Sequence, residues 1–184
     1  MNLFSLDPDP VRHYVVGLAF SATPDENERF VVLLRKTRPA WQAGLLNGPG
    51  GAVEPGEQPL QAMRREFREE TGVDVAQWTA FATQTGVSDE GDAYRIDYFK
   101  TILTIGEYES LGSPTDEEVE TFRVTSIIQE QQTFPYASRN LLVDNLRYLL
   151  PMAVDPDAPF AEIRTQAQVQ VLVNDPDEHT TLDL

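Results

Sequence analysis

The chain has 184 residues, 41% of them apolar and 24% charged, enough for one globular domain with a sizeable core. A formal net charge of −16 argues against binding long nucleic acid, whose phosphates are held by lysine and arginine. There is no cysteine, so disulfide frameworks and thiolate metal sites are excluded, and no stretch reads as a signal peptide or membrane span. A cytoplasmic setting is expected.

Tyr14 to Phe20 and Phe30 to Leu34 are apolar and rich in β-formers, and the polar turn Ser21 to Glu28 separates them; two strands are predicted. Arg35 to Gly51 reads as a glycine-rich connection, and Gln58 to Thr71 as a helix that Gly72 ends in the left-handed conformation. Val75 to Thr85 and Tyr94 to Ile105 are strand candidates, and Val119 to Val124 a shorter one. Ser138 is expected to cap a helix running to about Leu150, with Leu142, Leu146, Leu149 and Leu150 buried and Pro151 as its stop. Residues 1–153 are expected to form the single domain. The 154–184 extension would carry one edge strand, Val169 to Val173, and an acidic, mobile end.

The chemistry concentrates between Gly51 and Val73, GAVEPGEQPLQAMRREFREETGV. At about 100° per residue, offsets of three and four bring Glu66 beside Glu69 and Glu70 on one helix face. Such a cluster would destabilise a helix by like-charge repulsion. A hard cation such as Mg²⁺, which prefers carboxylates, water and phosphate oxygens, turns that cost into a binding site. Gly50 and Gly51 let the backbone approach a ligand or metal closely. Arg65 precedes Glu69 by four residues and can orient it, and Glu57 is read as structural, pairing with Arg65 or a backbone amide.

The segment resembles the Nudix box: Gly, five residues, Glu, seven residues, then Arg-Glu-(apolar)-x-Glu-Glu-x-Gly-(apolar). Gly51, Glu57, Arg65, Glu66, Phe67, Glu69, Glu70, Gly72 and Val73 match it without departure. The resemblance implies an α/β fold, an α/β/α sandwich with a mixed β-sheet. It also implies Mg²⁺-dependent hydrolysis (Mn²⁺ as substitute) of a nucleoside diphosphate linked to another group, with metal on Gly51, Glu66, Glu69 and Glu70. Arg38 is one of six basic residues, Arg35, Lys36, Arg38, Arg64, Arg65 and Arg68, gathered between positions 35 and 68, which suits phosphate neutralisation.

RKTRPAWQAGLLNGPGG further resembles enzymes that clear oxidised purine nucleoside triphosphates, which implies that Asn47 contacts the base; Trp41 offers a stacking surface. GSPTDEEVETFRV looks like the acidic loop opposite the box, implying Glu118, ahead of Glu117, as further ligand or general base alongside Glu69. By analogy Asn140 would read the base, where Phe134-Pro135-Tyr136-Ala137-Ser138 departs from the acidic pair of those enzymes. His13 opens a strand and His179 sits in the tail, so neither is read as a ligand. The expected partner is a small nucleotide, with a homodimer open and no membrane. Hydrolysis of ADP-ribose or a dinucleoside polyphosphate, or ligand sensing without turnover, is the alternative.

Overall fold

A computed structural model describes residues 11–23, 25, 28–88, 91–133, 142–165, 169–172 and 181–183. The strands are β1 (Arg12–Ser21), β2 (Phe30–Arg35), β3 (Leu46–Asn47), β4 (Gly50–Ala52), β5 (Thr79–Val87), β6 (Ala93–Leu103), β7 (Glu118–Arg123), β8 (Ala161–Thr165), β9 (Val169–Leu172) and β10 (Thr181–Asp183). The helices are α1 (Pro59–Thr71), α2 (Ile105–Glu109), α3 (Val124–Thr133) and α4 (Leu146–Val154).

One mixed sheet runs β10-β9-β8-β5-β6-β1-β2-β3, with β4 on β1 and β7 on β2. The β1–β6 and β5–β8 pairs are parallel and the rest antiparallel. Period-two alternation in β1 and β2 builds two cores. Leu18, Phe20, Val31 and Leu33 face α3 and α4, packing with Ile127, Leu146, Leu149 and Leu150. Val15, Ala19 and Val32 face α1, packing with Ala62, Met63 and Phe67. Helices therefore cover both faces of the sheet.

Helix α1 starts where Gln58 takes extended backbone and Pro59 needs no N–H partner. It ends at Gly72, whose φ of 78° is left-handed and whose N–H reaches the Arg68 carbonyl at 2.9 Å. Met63 and Phe67 lie one turn apart on the buried face, and Phe67 packs edge-on against Trp78 with ring centroids 5.1 Å apart.

Several expectations need correction. The 35–51 connection contains β3 and β4, pinned by long-range pairing rather than by their own short, glycine-rich sequence. The strand expected from Val75 begins at Thr79. Ile105 belongs to α2, capped by Thr104, which accepts from the Glu107 N–H while Glu107 returns a bond to the Thr104 N–H. The final helix starts at Leu146, and Pro151 lies inside it. Leu142 is buried through a bridge to Leu46, not on a helix face. The Ser138 cap, Asn140 and His179 lie outside the described residues. The 154–184 segment supplies three strands: β8 pairs with β5, β9 with β8, and β10, at the end expected to be mobile, with β9. Among the described residues no helix is long and apolar enough to cross a membrane.

Candidate active site

The site is built where β4 meets the last two turns of α1. Strand β4 pairs antiparallel with β1, placing Gly50 opposite Val16 and Gly51 opposite Val15. A side chain at Gly51 would put its Cβ 2.5 Å from the Glu66 carboxyl carbon, so glycine is what lets that carboxylate lie against the strand. At Gly50 a Cβ would meet the Val15 carbonyl oxygen at 2.1 Å, and the Gly50 N–H donates to Glu70 Oε2 at 2.7 Å. The helix thus presents Glu66 and Glu70, four residues apart, to two consecutive glycines.

Arg65 organises one side. Its Nε and Nη2 each donate to an oxygen of Glu57 at 3.0 Å, Nη1 donates to Glu66 Oε1 at 2.7 Å, and Nη2 also reaches the Ala52 carbonyl at 2.9 Å. This planar fork welds the helix to the loop before it. The bond from Arg65 holds Glu57 below the usual carboxylate range, and Glu57 in return raises Arg65. Glu69 sits on the rim, with a side chain 53% exposed and a longer 3.4 Å contact to Arg65 Nη1.

On the other side, the Lys36 ammonium lies 2.5 Å from Glu117 Oε2 and 3.4 Å from Glu70 Oε1. Glu117 is buried, and its Oε1 accepts the Thr37 N–H at 3.0 Å. Burial raises Glu66, against the pull of Arg65. Burial likewise pushes Glu70 up to about 7, opposed by Lys36 and the Gly50 N–H and reinforced by Glu66 and Glu117.

The fit to a hard divalent cation rests on the donors. All are oxygens, two are carboxylates whose burial disfavours their charge, and Gly51 leaves Glu66 a cradle that any Cβ would fill. Among the described residues no three His, Asp or Glu side chains converge as a ready cage; Arg65 and Lys36 hold the carboxylates instead.

The structure thus brings Gly51, Arg65, Glu66 and Glu70 together, with Glu69 at the edge. Glu118 is not among them. It opens β7 opposite Arg35, exposed, while the buried neighbour Glu117 faces the box through Lys36. Lys36 was read only as one of six basic residues suited to phosphate neutralisation, and its pairing with carboxylates 34 and 81 positions away has no local signal. Asn47 is buried in β3, its Oδ1 accepting the Gly48 N–H at 2.9 Å and its Nδ2 donating to Gln42 at 3.2 Å. Trp41 is 68% exposed on the turn between β2 and β3, and Arg38 is exposed with a 3.4 Å contact to Asp116. His13 bonds Asp97 at 2.7 Å.

The family model of the NUDIX domain matches residues 12–142. Curated proteins yield no match. Among solved structures, a mutator MutT protein from Bacillus halodurans superposes with a TM-score of 0.60 at 19% identity, covering 88% of this chain and 95% of that one. A C. elegans Ap4A hydrolase, in a binary complex, gives 0.55 at 18%, covering 77% and 93%. The NUDIX domain of Shewanella oneidensis NrtR, complexed with ADP ribose, gives 0.52 at 14%, covering 76% and 91%. At these identities the likenesses show the fold. The family match spans most of the chain and includes the whole box, and on that ground the chain belongs to the Nudix hydrolase superfamily.

Proposed function

We propose that the protein hydrolyses a nucleoside triphosphate to the monophosphate and pyrophosphate, using Mg²⁺ held by Glu66, Glu69, Glu70 and the Gly51 carbonyl. The observation that carries this reading is the pair of desolvated carboxylates, Glu66 and Glu70, facing Gly50 and Gly51. Held there, Mg²⁺ would supply polarisation of the phosphoryl oxygens and charge stabilisation of the leaving group. Water adds its oxygen to phosphorus as the anhydride P–O bond breaks, and the departing oxygen leaves with the bond's electron pair.

Glu69 is the proposed base that takes the water's proton. It is the most exposed of the three helix carboxylates and the least tied, so it can reach a water outside the glycine cradle. Arg65 fixes Glu66 and the loop, and Glu117 replaces Glu118 as the proposed carboxylate from the acidic loop. Arg38, exposed and weakly paired, is the proposed partner of phosphate oxygens. Asn47 has both ends of its amide engaged within its own loop, so its proposed role is to hold the β3–β4 backbone. Trp41 is left as the stacking surface.

A substrate panel with separate phosphate and pyrophosphate detection tests the reaction. Pyrophosphate release from triphosphates supports it. Turnover confined to ADP-ribose or dinucleoside polyphosphates moves the substrate class, and tight binding without turnover makes the protein a sensor.

A further inference from the structure

We propose that Lys36 is an exchangeable counter-cation: its ammonium neutralises Glu70 and Glu117 until a divalent ion takes those carboxylates over, and it then moves to the substrate's polyphosphate oxygens. This rests on the metal-site reading above. Each carboxylate has one oxygen committed to a backbone donor, Glu70 Oε2 to Gly50 and Glu117 Oε1 to Thr37. The other oxygen of each faces Lys36. Ammonium and metal ion therefore compete for the same lone pairs.

Lys36 cannot simply leave. Its side chain is 11% exposed, and withdrawing it alone would strand two buried carboxylates, which is strongly unfavourable. Arrival of another cation removes that penalty. The backbone stays put during the exchange, because the Lys36 N–H donates to the Leu45 carbonyl and the Lys36 carbonyl accepts the Gly44 N–H, both at 2.8 Å. Only the four-carbon stem has to move.

Arg65 shows why the residue type matters. Its guanidinium spends its donors on Glu57, Glu66 and Ala52 at once, so displacing it would break every bond together. A lysine is a point charge on a flexible stem, with fewer bonds to give up. Lys36 is one of two lysines beside twelve arginines. A cation released here has a new anion available, because a nucleoside triphosphate brings its own charge.

The experiment follows the two ammonium groups in wild-type protein labelled with ¹⁵N at lysine. Lys100, whose Nζ donates to the Ala153 carbonyl, is the internal control. Mg²⁺ alone should shift or erase the Lys36 signal and spare Lys100, and a non-hydrolysable nucleoside triphosphate added with Mg²⁺ should return it at a new position. Calorimetry at pH 8.5 supplies the second readout. Lys36→Met should bind Mg²⁺ roughly fivefold or more tightly and the triphosphate analogue roughly tenfold more weakly. A merely structural lysine would move both affinities the same way, and that result overturns the proposal. If wild type binds Mg²⁺ while the Lys36 signal stays unchanged, the exchange is wrong and the metal site stands. If wild type binds no divalent ion, both fall.

Discussion

The two sides of the glutamate cluster are neutralised by different chemistry over different sequence distances. Arg65 binds Glu57, Glu66 and Glu69, at most eight residues away, through a rigid fork. Lys36 binds Glu70 and Glu117, 34 and 81 residues away, through one ammonium. The first side is a local scaffold that forms with the helix. The second exists only once β2 and the acidic loop have folded against the box, and it ties site assembly to global folding.

Metal removal is the most severe test of both sides. With an all-oxygen donor set, excess EDTA should abolish turnover and Mg²⁺ or Mn²⁺ should restore it. Full activity in chelator would end the comparison, since neither side would then be preparing a metal site.

Single carboxylates come next. Glu69→Gln, Glu66→Gln and Glu70→Gln should each lower kcat by roughly a hundredfold or more in saturating Mg²⁺. The metal-free variants should separate the two sides. Glu70's folded pKa of about 7 lies above its unfolded value, so its contribution favours folding below the unfolded pKa and is lost as pH rises through 7. Glu70→Gln should therefore gain stability over wild type between about pH 5 and 8, by on the order of 2 kcal/mol. Glu66→Gln gives up a charged bond to Arg65 and should gain less. Equal pH profiles for the two variants would remove the distinction, and thermal midpoints across pH without metal decide it.

Arg65→Lys tests the scaffold directly. An ammonium cannot reproduce the paired bonds to Glu57 together with those to Glu66 and Ala52, so stability should fall by about 1–3 kcal/mol. Denaturant midpoints measure this, and an unchanged midpoint would show the fork to be dispensable.

Asn47→Ala should have the smallest effect, a few-fold loss of kcat/KM spread equally over purine and pyrimidine triphosphates, because the amide serves Gly48 and Gln42. A loss confined to purines would restore the base-reading role that the sequence resemblance suggests.

What the sequence by itself determined follows from short range. The box helix, its glycine stop and the Arg65 pairings lie within one stretch whose period and spacing carry the geometry. The strands β1 and β2 are legible because an apolar run has few other uses. Helix α2 was not expected, although the Thr104–Glu107 capping pair is a local signal that could have found it.

What only the tertiary structure decided depends on pairings that no local pattern encodes. Strands β3 and β4 have two and three residues, too few to show a period, and exist because β2 and β1 hold them. Pro151 reads as a stop until the helix start at Leu146 places it inside α4. Glu117 and Glu118 are the same residue type side by side, and one position of strand register buries the first on Lys36 and leaves the second exposed. Spacing along a helix is set by bonds between near neighbours, whereas the carboxylate that meets Lys36 is set by how β7 docks on β2, through contacts spread over the whole sheet.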